Sequence, residues 1–171
     1  MVKVKVLDLT SDSSSSPLTL LNYDVVIASY GFVLAQYEKK TRYIHAIHDI
    51  NRGKAVSEAP VRPSLSLLSE IWTLDGAKSP FLILDEVQTI RNTLTKTFLA
   101  IEHLREQSDT CVMLTGSPID NTWMDLYAYM RMIRGHPFDS ELMMKVTFTD
   151  FDQDHPDELK YPEGNHLQRL E

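Results

Sequence analysis

The sequence predicts an α/β protein in which helices cover both faces of a parallel sheet. Three short segments carry continuous apolar runs, at 25–28, 81–84 and 111–114, as is typical of strands buried on both faces. Segments with apolar residues at helical spacing follow the last two runs, at 92–106 and 121–135. Parallel strands need crossover segments, so strands that alternate with amphipathic helices favour this arrangement.

Four further segments complete the expected order of elements. The alternating residues 3–9 predict a short strand, and residues 11–17 are polar enough for a flexible connection. Residues 36–63 are polar and somewhat basic, so we expect a surface insertion there. A helix is expected over residues 64–74.

The two amphipathic segments carry residues suited to helix ends. Asn92 is expected to cap the first helix, while Asn121 is expected to cap the second and Gly135 to end it. The apolar stripe of the first helix is Leu94, Phe98, Ile101 and Leu104. The apolar stripe of the second helix is Trp123, Leu126, Tyr127 and Met130.

Composition and charge narrow the class of protein. A hydrophobic fraction of 43% and a charged fraction of 24% are those of a folded domain. No apolar run approaches the length of a membrane span, the N-terminal residues lack a signal peptide, and the single Cys111 permits no internal disulfide. Residues 139–171 carry nine acidic and three basic side chains, so most of the net charge of −7 lies there. We expect an acidic, loosely ordered tail after a domain over residues 1–138.

Two carboxylates, Asp85 and Glu86, directly follow the apolar run 81–84. Carboxylates at the end of a buried strand are costly unless a cation lies beside them, and in nucleotide hydrolases that cation is magnesium. An exposed strand end with helix-capping carboxylates explains the same pattern. The pair alone leaves both interpretations open.

Three ordered motifs resemble the first ATPase lobe of the Swi/Snf family of helicase-like, DNA-translocating ATPases. They are DVVIASYGFV at 24–33, LDEVQTIRN at 84–92 and LTGSPIDNTWMDLYAYM at 114–130. The resemblance covers about residues 22–138. It implies a partial RecA-like lobe that uses ATP and magnesium, acts on double-stranded DNA or chromatin, and works in the nucleus.

The same resemblance implies a role for individual residues. Asp85 corresponds to the aspartate that holds magnesium through water, Glu86 to the catalytic base, and Gln88 to the residue that links the nucleotide to the next motif. The motif that couples nucleotide state to DNA corresponds to Thr115, Gly116, Ser117, Pro118 and Asn121. The positions near DNA correspond to Ser29, Tyr30, Arg91, Asn92 and Lys96. The family pattern is not followed at Gly31, Val87, Ser117 and Asp120.

A lysine-bearing phosphate loop is missing from the expected set. Such a loop requires Gly-x-x-x-x-Gly-Lys-Ser/Thr, because its backbone N–H groups surround the phosphates. The only Gly-Lys pair, Gly53-Lys54, is followed by Ala55 and has His48 in place of the first glycine. The resemblance therefore implies that the loop lies upstream of Met1 and that the second ATPase lobe is also missing. We expect half of an active site, without turnover by this chain alone.

Two other classes of function remain open at this point. One is a non-catalytic remnant that acts as a protein or DNA interaction module. The other is an unrelated metal-dependent hydrolase built on Asp85 and Glu86, for which further ligands are not evident. His45 and His48 are expected to be solvated loop residues, and Cys111 a core residue.

Overall fold

A computed structural model describes residues 3–10, 16–55, 58–74, 77–117, 123–138 and 140–148. The strands in these ranges are β1 (Val6–Leu9), β2 (Val25–Ala28), β3 (Ser79–Leu84) and β4 (Ser108–Met113). The α-helices are α1 (Pro17–Leu20), α2 (Tyr30–Asn51), α3 (Lys96–Arg105), α4 (Trp123–Met132) and α5 (Glu141–Phe148). Short 3-10 helices lie at Glu70–Thr73 and Val87–Ile90. The predicted mixture of strands and helices is confirmed.

The described strands form two separate two-stranded sheets, β1–β2 and β3–β4. The first is parallel, with a register that runs from Val6 opposite Val25 to Leu9 opposite Ala28. In the second, hydrogen bonds advance in the same direction along both strands, so it is also parallel. The predicted parallel direction of the strands is therefore right. The expectation of a single continuous sheet is wrong for the described residues. Apolar runs predict strands without specifying which strands are neighbours.

The chain divides into two compact units. The first contains residues 1–82 and 99–110, and the second contains residues 83–98 and 111–171. In the first unit, one face of the β1–β2 sheet contributes to a core centred on Leu9, Leu20 and Phe32. The opposite face is open, since Val6 and Ile27 are each 52% exposed. The expectation that β2 is buried on both faces is wrong.

Helix α2 occupies much of the segment expected to be a surface insertion. Ser29 begins it as N-cap, because its side chain accepts a hydrogen bond from the Phe32 N–H, and the chain leaves it near Gly53, whose φ is +79°. The polar residues of 36–51 therefore belong largely to a solvent-facing helix surface. His45 and His48 are exposed, as predicted, but they lie on this helix and not in a loop.

The expectation of a helix over residues 64–74 is wrong. Only a short 3-10 helix forms there, at Glu70–Thr73. The N–H groups of Leu67 and Leu68 donate to the Gln36 side chain, and the Ser66 carbonyl accepts from the Trp72 indole. These backbone groups are satisfied by side chains, so no α-helical hydrogen bonds are needed to pair them.

The apolar faces of β3 and β4 are less covered than the continuous runs suggest. Ile83 on β3 is 63% exposed and Val112 on β4 is 39% exposed, whereas Leu84 is buried. Thr95, not Asn92, accepts the hydrogen bond from the Phe98 N–H at the start of α3. Leu94, expected in the stripe of this helix, lies before it and is exposed.

In the second unit, α4 and α5 share a core. It consists of Tyr127, Phe138 and Met144, with Leu126 and Met130 packed against it. Part of the segment expected to be a loosely ordered tail is therefore a packed helix, because α5 buries Met144 completely. The rest of that expected tail, from residue 149, and the expected cap Asn121 lie outside the described residues. Within the described ranges no helix is long and apolar enough to cross a membrane.

Candidate functional site

The candidate site begins where β3 ends, at Asp85 and Glu86. The Glu86 N–H donates to Asp85 Oδ1 at 3.0 Å, and the Val87 N–H donates to the Leu114 carbonyl at 3.0 Å. Glu86 has a φ of +51°, in the left-handed region, which costs an L-residue roughly 1–2 kcal/mol. The two flanking hydrogen bonds hold this turn in place. Both carboxylate side chains face solvent.

A second turn, from Thr115 to Ser117, follows β4 and meets the first. The Leu114 N–H donates to the Leu84 carbonyl at 2.8 Å, so the two strands are paired up to their carboxyl ends. The Ser117 N–H in turn donates to Thr115 Oγ1 at 3.1 Å. Ligands of open parallel sheets bind beyond this edge of the sheet.

A continuous chain of hydrogen bonds joins the two turns through Gln88. Thr115 Oγ1 donates to Gln88 Oε1 at 2.7 Å, and Gln88 Nε2 donates to the Glu86 carboxylate. The sequence predicts that the two motifs meet at one edge of a parallel sheet, and this is confirmed for the described residues. Pro118 and Asn121 lie outside those residues.

Buried apolar side chains anchor the turn that carries the exposed carboxylates. The 3-10 helix Val87–Ile90 follows Glu86, and its first and last side chains are almost fully buried. Val87, which departs from the family pattern, therefore occupies core volume directly beneath the turn. Gln88 lies between these two side chains and is only partly buried, so its amide reaches the site.

The donor set fits a magnesium ion that is shared with phosphates. Asp85 and Glu86 offer carboxylate oxygens, which Mg²⁺ prefers, and Mg²⁺ in such sites keeps several waters and uses only one or two carboxylates. Among the described residues, no group of three or more His, Cys, Asp or Glu side chains has the geometry of a metal site. The carboxylate oxygens of Asp85 and Glu86 are therefore the part of this site that suits Mg²⁺.

The Gly53-Lys54 pair has no phosphate-binding geometry. It lies at the end of α2, and Lys54 Nζ bonds to Asp49 Oδ1 at 2.7 Å. This hydrogen bond lowers the pKa of the Asp49 carboxyl from its ordinary value. The interpretation that this pair is not a phosphate loop agrees with its place in the structure.

The candidate DNA-contacting residues fall in both units. Ser29 and Tyr30 lie at the junction of β2 and α2 in the first unit, where the Ser29 side chain caps α2. In the second unit, Asn92 Oδ1 accepts the Leu94 N–H at 2.9 Å, and Lys96 is exposed at the start of α3. Arg91 is partly buried after the 3-10 helix.

Sequence reasoning missed a polar cluster in the first unit. Lys40 Nζ lies 2.9 Å from His103 Nε2 and donates to the Leu68 carbonyl at 3.2 Å. Burial lowers the pKa of Lys40, and Glu106 opposes this shift. Burial, reinforced by Lys40, also lowers the pKa of His103. No local pattern signals this cluster, because Lys40 and His103 are 63 residues apart.

Comparison with known proteins identifies the family. The profile of the SNF2-related domain matches residues 2–169, nearly the whole chain, so the protein belongs to the SNF2-related family of helicase-like proteins.

Individual relatives agree with this assignment. Helicase-like transcription factor CHR28 of Arabidopsis thaliana is 42% identical over 57 residues, 33% of this chain and 6% of its own length. Transcription termination factor 2 of Drosophila melanogaster is 39% identical over 64 residues, 37% of this chain and 6% of its own length. ATP-dependent helicase ULS1 of Saccharomyces cerevisiae is 26% identical over 143 residues, 78% of this chain and 8% of its own length. The chain thus matches less than a tenth of each relative.

Proposed function

We propose that this chain is part of the first, RecA-like ATPase lobe of a SNF2-type DNA-dependent ATPase. It supplies the side of the site that holds magnesium and activates water. The observation that supports this most directly is the hydrogen-bond chain from Glu86 through Gln88 to Thr115, which joins two motifs of the family at one sheet edge.

Each side chain of this edge has a role in the proposal. Asp85 would hold magnesium, which would neutralise phosphate charge when bound with ATP. Glu86 orients the attacking water and takes its proton. Gln88 contacts both the Glu86 carboxylate and the Thr115 hydroxyl, so a shift of the base changes the turn at Thr115. In the family resemblance that turn reports nucleotide state to DNA.

The proposed site needs groups that the described residues do not provide. No described segment is a glycine-rich loop carrying a lysine, and Lys54 is paired with Asp49. We propose that the phosphate-binding lysine, and the arginine fingers of a second lobe, come from a larger assembly or a longer polypeptide. Arginine fingers contribute about 10³ to 10⁵ in rate, so the isolated chain is expected to lack turnover.

Double-stranded DNA and a nuclear setting complete the proposal. Two of the relatives are named as a transcription factor and a transcription termination factor, which supports this assignment. Arg91 and Lys96 lie close in sequence to the carboxylate turn and provide cations for phosphate contacts. Affinity of the chain alone for DNA is expected to be weak and salt-sensitive.

A chimera tests the catalytic part of the proposal. Residues 22–138 replace the matching segment of a complete SNF2-type ATPase, and phosphate release is measured with magnesium and duplex DNA. The chimera is expected to hydrolyse ATP, and Glu86→Gln is expected to lower its rate by about 10²-fold or more, because the general base is lost. The exposed Glu58 gives a matched control, since Glu58→Gln leaves the rate unchanged.

The isolated chain is assayed in parallel. Wild type and Glu86→Gln should both remain at background. DNA-stimulated hydrolysis by the isolated wild type, lost in the variant, would show that the chain holds a complete phosphate site and would refute the half-site proposal. A folded chimera without activity would instead support a non-catalytic interaction module.

A further inference from the structure

Two side chains of α2 hold the peptide groups around Leu68. Gln36 Oε1 accepts the N–H groups of Leu67 at 3.1 Å and Leu68 at 3.3 Å. Lys40, one helical turn further along, donates to the Leu68 carbonyl at 3.2 Å. The Leu68 side chain is completely buried. Both peptide groups of Leu68, its N–H and its carbonyl, are therefore hydrogen-bonded to side chains of α2.

Lys40 also reaches the neighbouring helix α3. Its Nζ lies 2.9 Å from His103 Nε2. A lysine ammonium only donates hydrogen bonds, so when Lys40 is charged Nε2 is the acceptor and the imidazole is neutral, with its proton on Nδ1. Nδ1 lies 3.6 Å from Glu106 Oε2, and the Tyr37 ring lies 6.1 Å from the imidazole, centroid to centroid. The titratable groups that face His103 are thus Lys40 and Tyr37 from α2, and Glu106 just after α3.

We propose that the Lys40–His103 contact is an acid-released latch between α2 and α3. Neutral His103 accepts a hydrogen bond from the Lys40 ammonium, which closes the latch. Protonated His103 has no lone pair on Nε2 and places a second positive charge beside the ammonium, so the latch opens. The hydrogen bond from Lys40 to the Leu68 carbonyl does not involve the imidazole. Opening the latch therefore loosens α3, while the hydrogen bonds from α2 to Leu67 and Leu68 persist.

The titration properties of the two groups agree with this mechanism. Burial and Lys40 lower the pKa of His103, and the attraction of Glu106 does not reverse this. Between the folded pKa and the unfolded value of about 6.5, the unfolded chain binds more protons. Stability is therefore lost as the pH falls through that window. The pKa of Lys40 is also lowered, mainly by burial.

The test combines imidazole NMR with urea unfolding of the full chain between pH 7.5 and 4.5. The His103 resonance should titrate at a lower pH in the folded chain than in the urea-unfolded chain. The folded fraction of wild type should fall more with acidification than that of His103→Gln, which keeps an acceptor that does not titrate. Each unit of His103 pKa lowering corresponds to about a tenfold excess fall in the folded-to-unfolded ratio. His48→Gln, at an exposed histidine of α2, is the matched control and should follow wild type.

Lys40→Met gives an independent measurement within folded protein. Removing the ammonium should raise the His103 titration midpoint, since Lys40 is one of the groups that lower it. The latch is wrong if His103 titrates in the folded wild type at or above the unfolded midpoint. It is equally wrong if Lys40→Met leaves the midpoint unchanged, or if wild type and His103→Gln lose stability in parallel.

Discussion

The hydrogen bond between Gln88 and Thr115 offers a direct test of whether the two motif turns act as one unit. Thr115→Val keeps the side-chain shape and removes the hydroxyl, which donates to Gln88 at 2.7 Å and accepts from the Ser117 N–H at 3.1 Å. A hydrogen bond contributes about 0.5–1.5 kcal/mol net, so two of them give a loss of about 1–3 kcal/mol. Thr115 is only partly buried, and water replaces part of the loss. We expect the lower half of that range.

A double-mutant cycle isolates the shared bond. Gln88→Met keeps the length of the side chain and removes its amide. Because Thr115→Val and Gln88→Met each remove the same 2.7 Å bond, the double variant should be less destabilised than the sum of the two, by about 1 kcal/mol. The measurement is urea unfolding followed by far-UV circular dichroism.

Thr110→Val is the matched control for this cycle. Thr110 lies on β4 and is exposed, so the same change of side chain should alter the free energy of unfolding by less than about 0.5 kcal/mol. A coupling between Gln88 and Thr115 within about 0.3 kcal/mol of zero would refute the reasoning. The two turns would then be adjacent without being linked.

Two further predictions concern the hydrogen bonds between Gln36 and the backbone of Leu67 and Leu68, and the interaction with DNA. Gln36→Leu should lower the free energy of unfolding by about 2 kcal/mol or more in the same assay, because it leaves the N–H groups of Leu67 and Leu68 without their acceptor. Lys39→Leu, at an exposed position of the same helix, should change the free energy of unfolding little. Equal destabilisation by the two variants would contradict a stabilising role of the Gln36 hydrogen bonds. Lys96→Ala should reduce the dependence of log K on log salt by about one in an anisotropy titration with duplex DNA, and an unchanged slope would exclude Lys96 from the contact.

The sequence determined the main elements around the site and their direction. Continuous apolar runs gave β2, β3 and β4, and apolar residues at helical spacing gave α3 and α4. The position of two polar motifs directly after two such strands was enough to predict one shared edge, because parallel strands end on the same side of a sheet.

Local sequence patterns did not predict the structure of segments that are stabilised by residues far away in the sequence. Helix α2 is long and mostly polar, and among its residues only Phe32, Val33 and Gln36 are buried, so its apolar stripe is too short to be recognised. The segment after it contains regularly spaced leucines and still does not form an α-helix. The N–H groups of Leu67 and Leu68 donate instead to the Gln36 side chain, more than 30 residues earlier.

From the sequence alone we could predict the family, the acidic and hydroxyl side chains of the candidate site, and the sheet edge that carries them. Only the tertiary structure decided how they are arranged. Glu86 has a left-handed backbone, and the Val87 N–H that follows it donates to the carbonyl of Leu114, directly after β4. Lys40 and His103, 63 residues apart in the sequence, meet only in the folded chain. Periodicity records which face of an element is apolar, whereas these contacts depend on which faces meet.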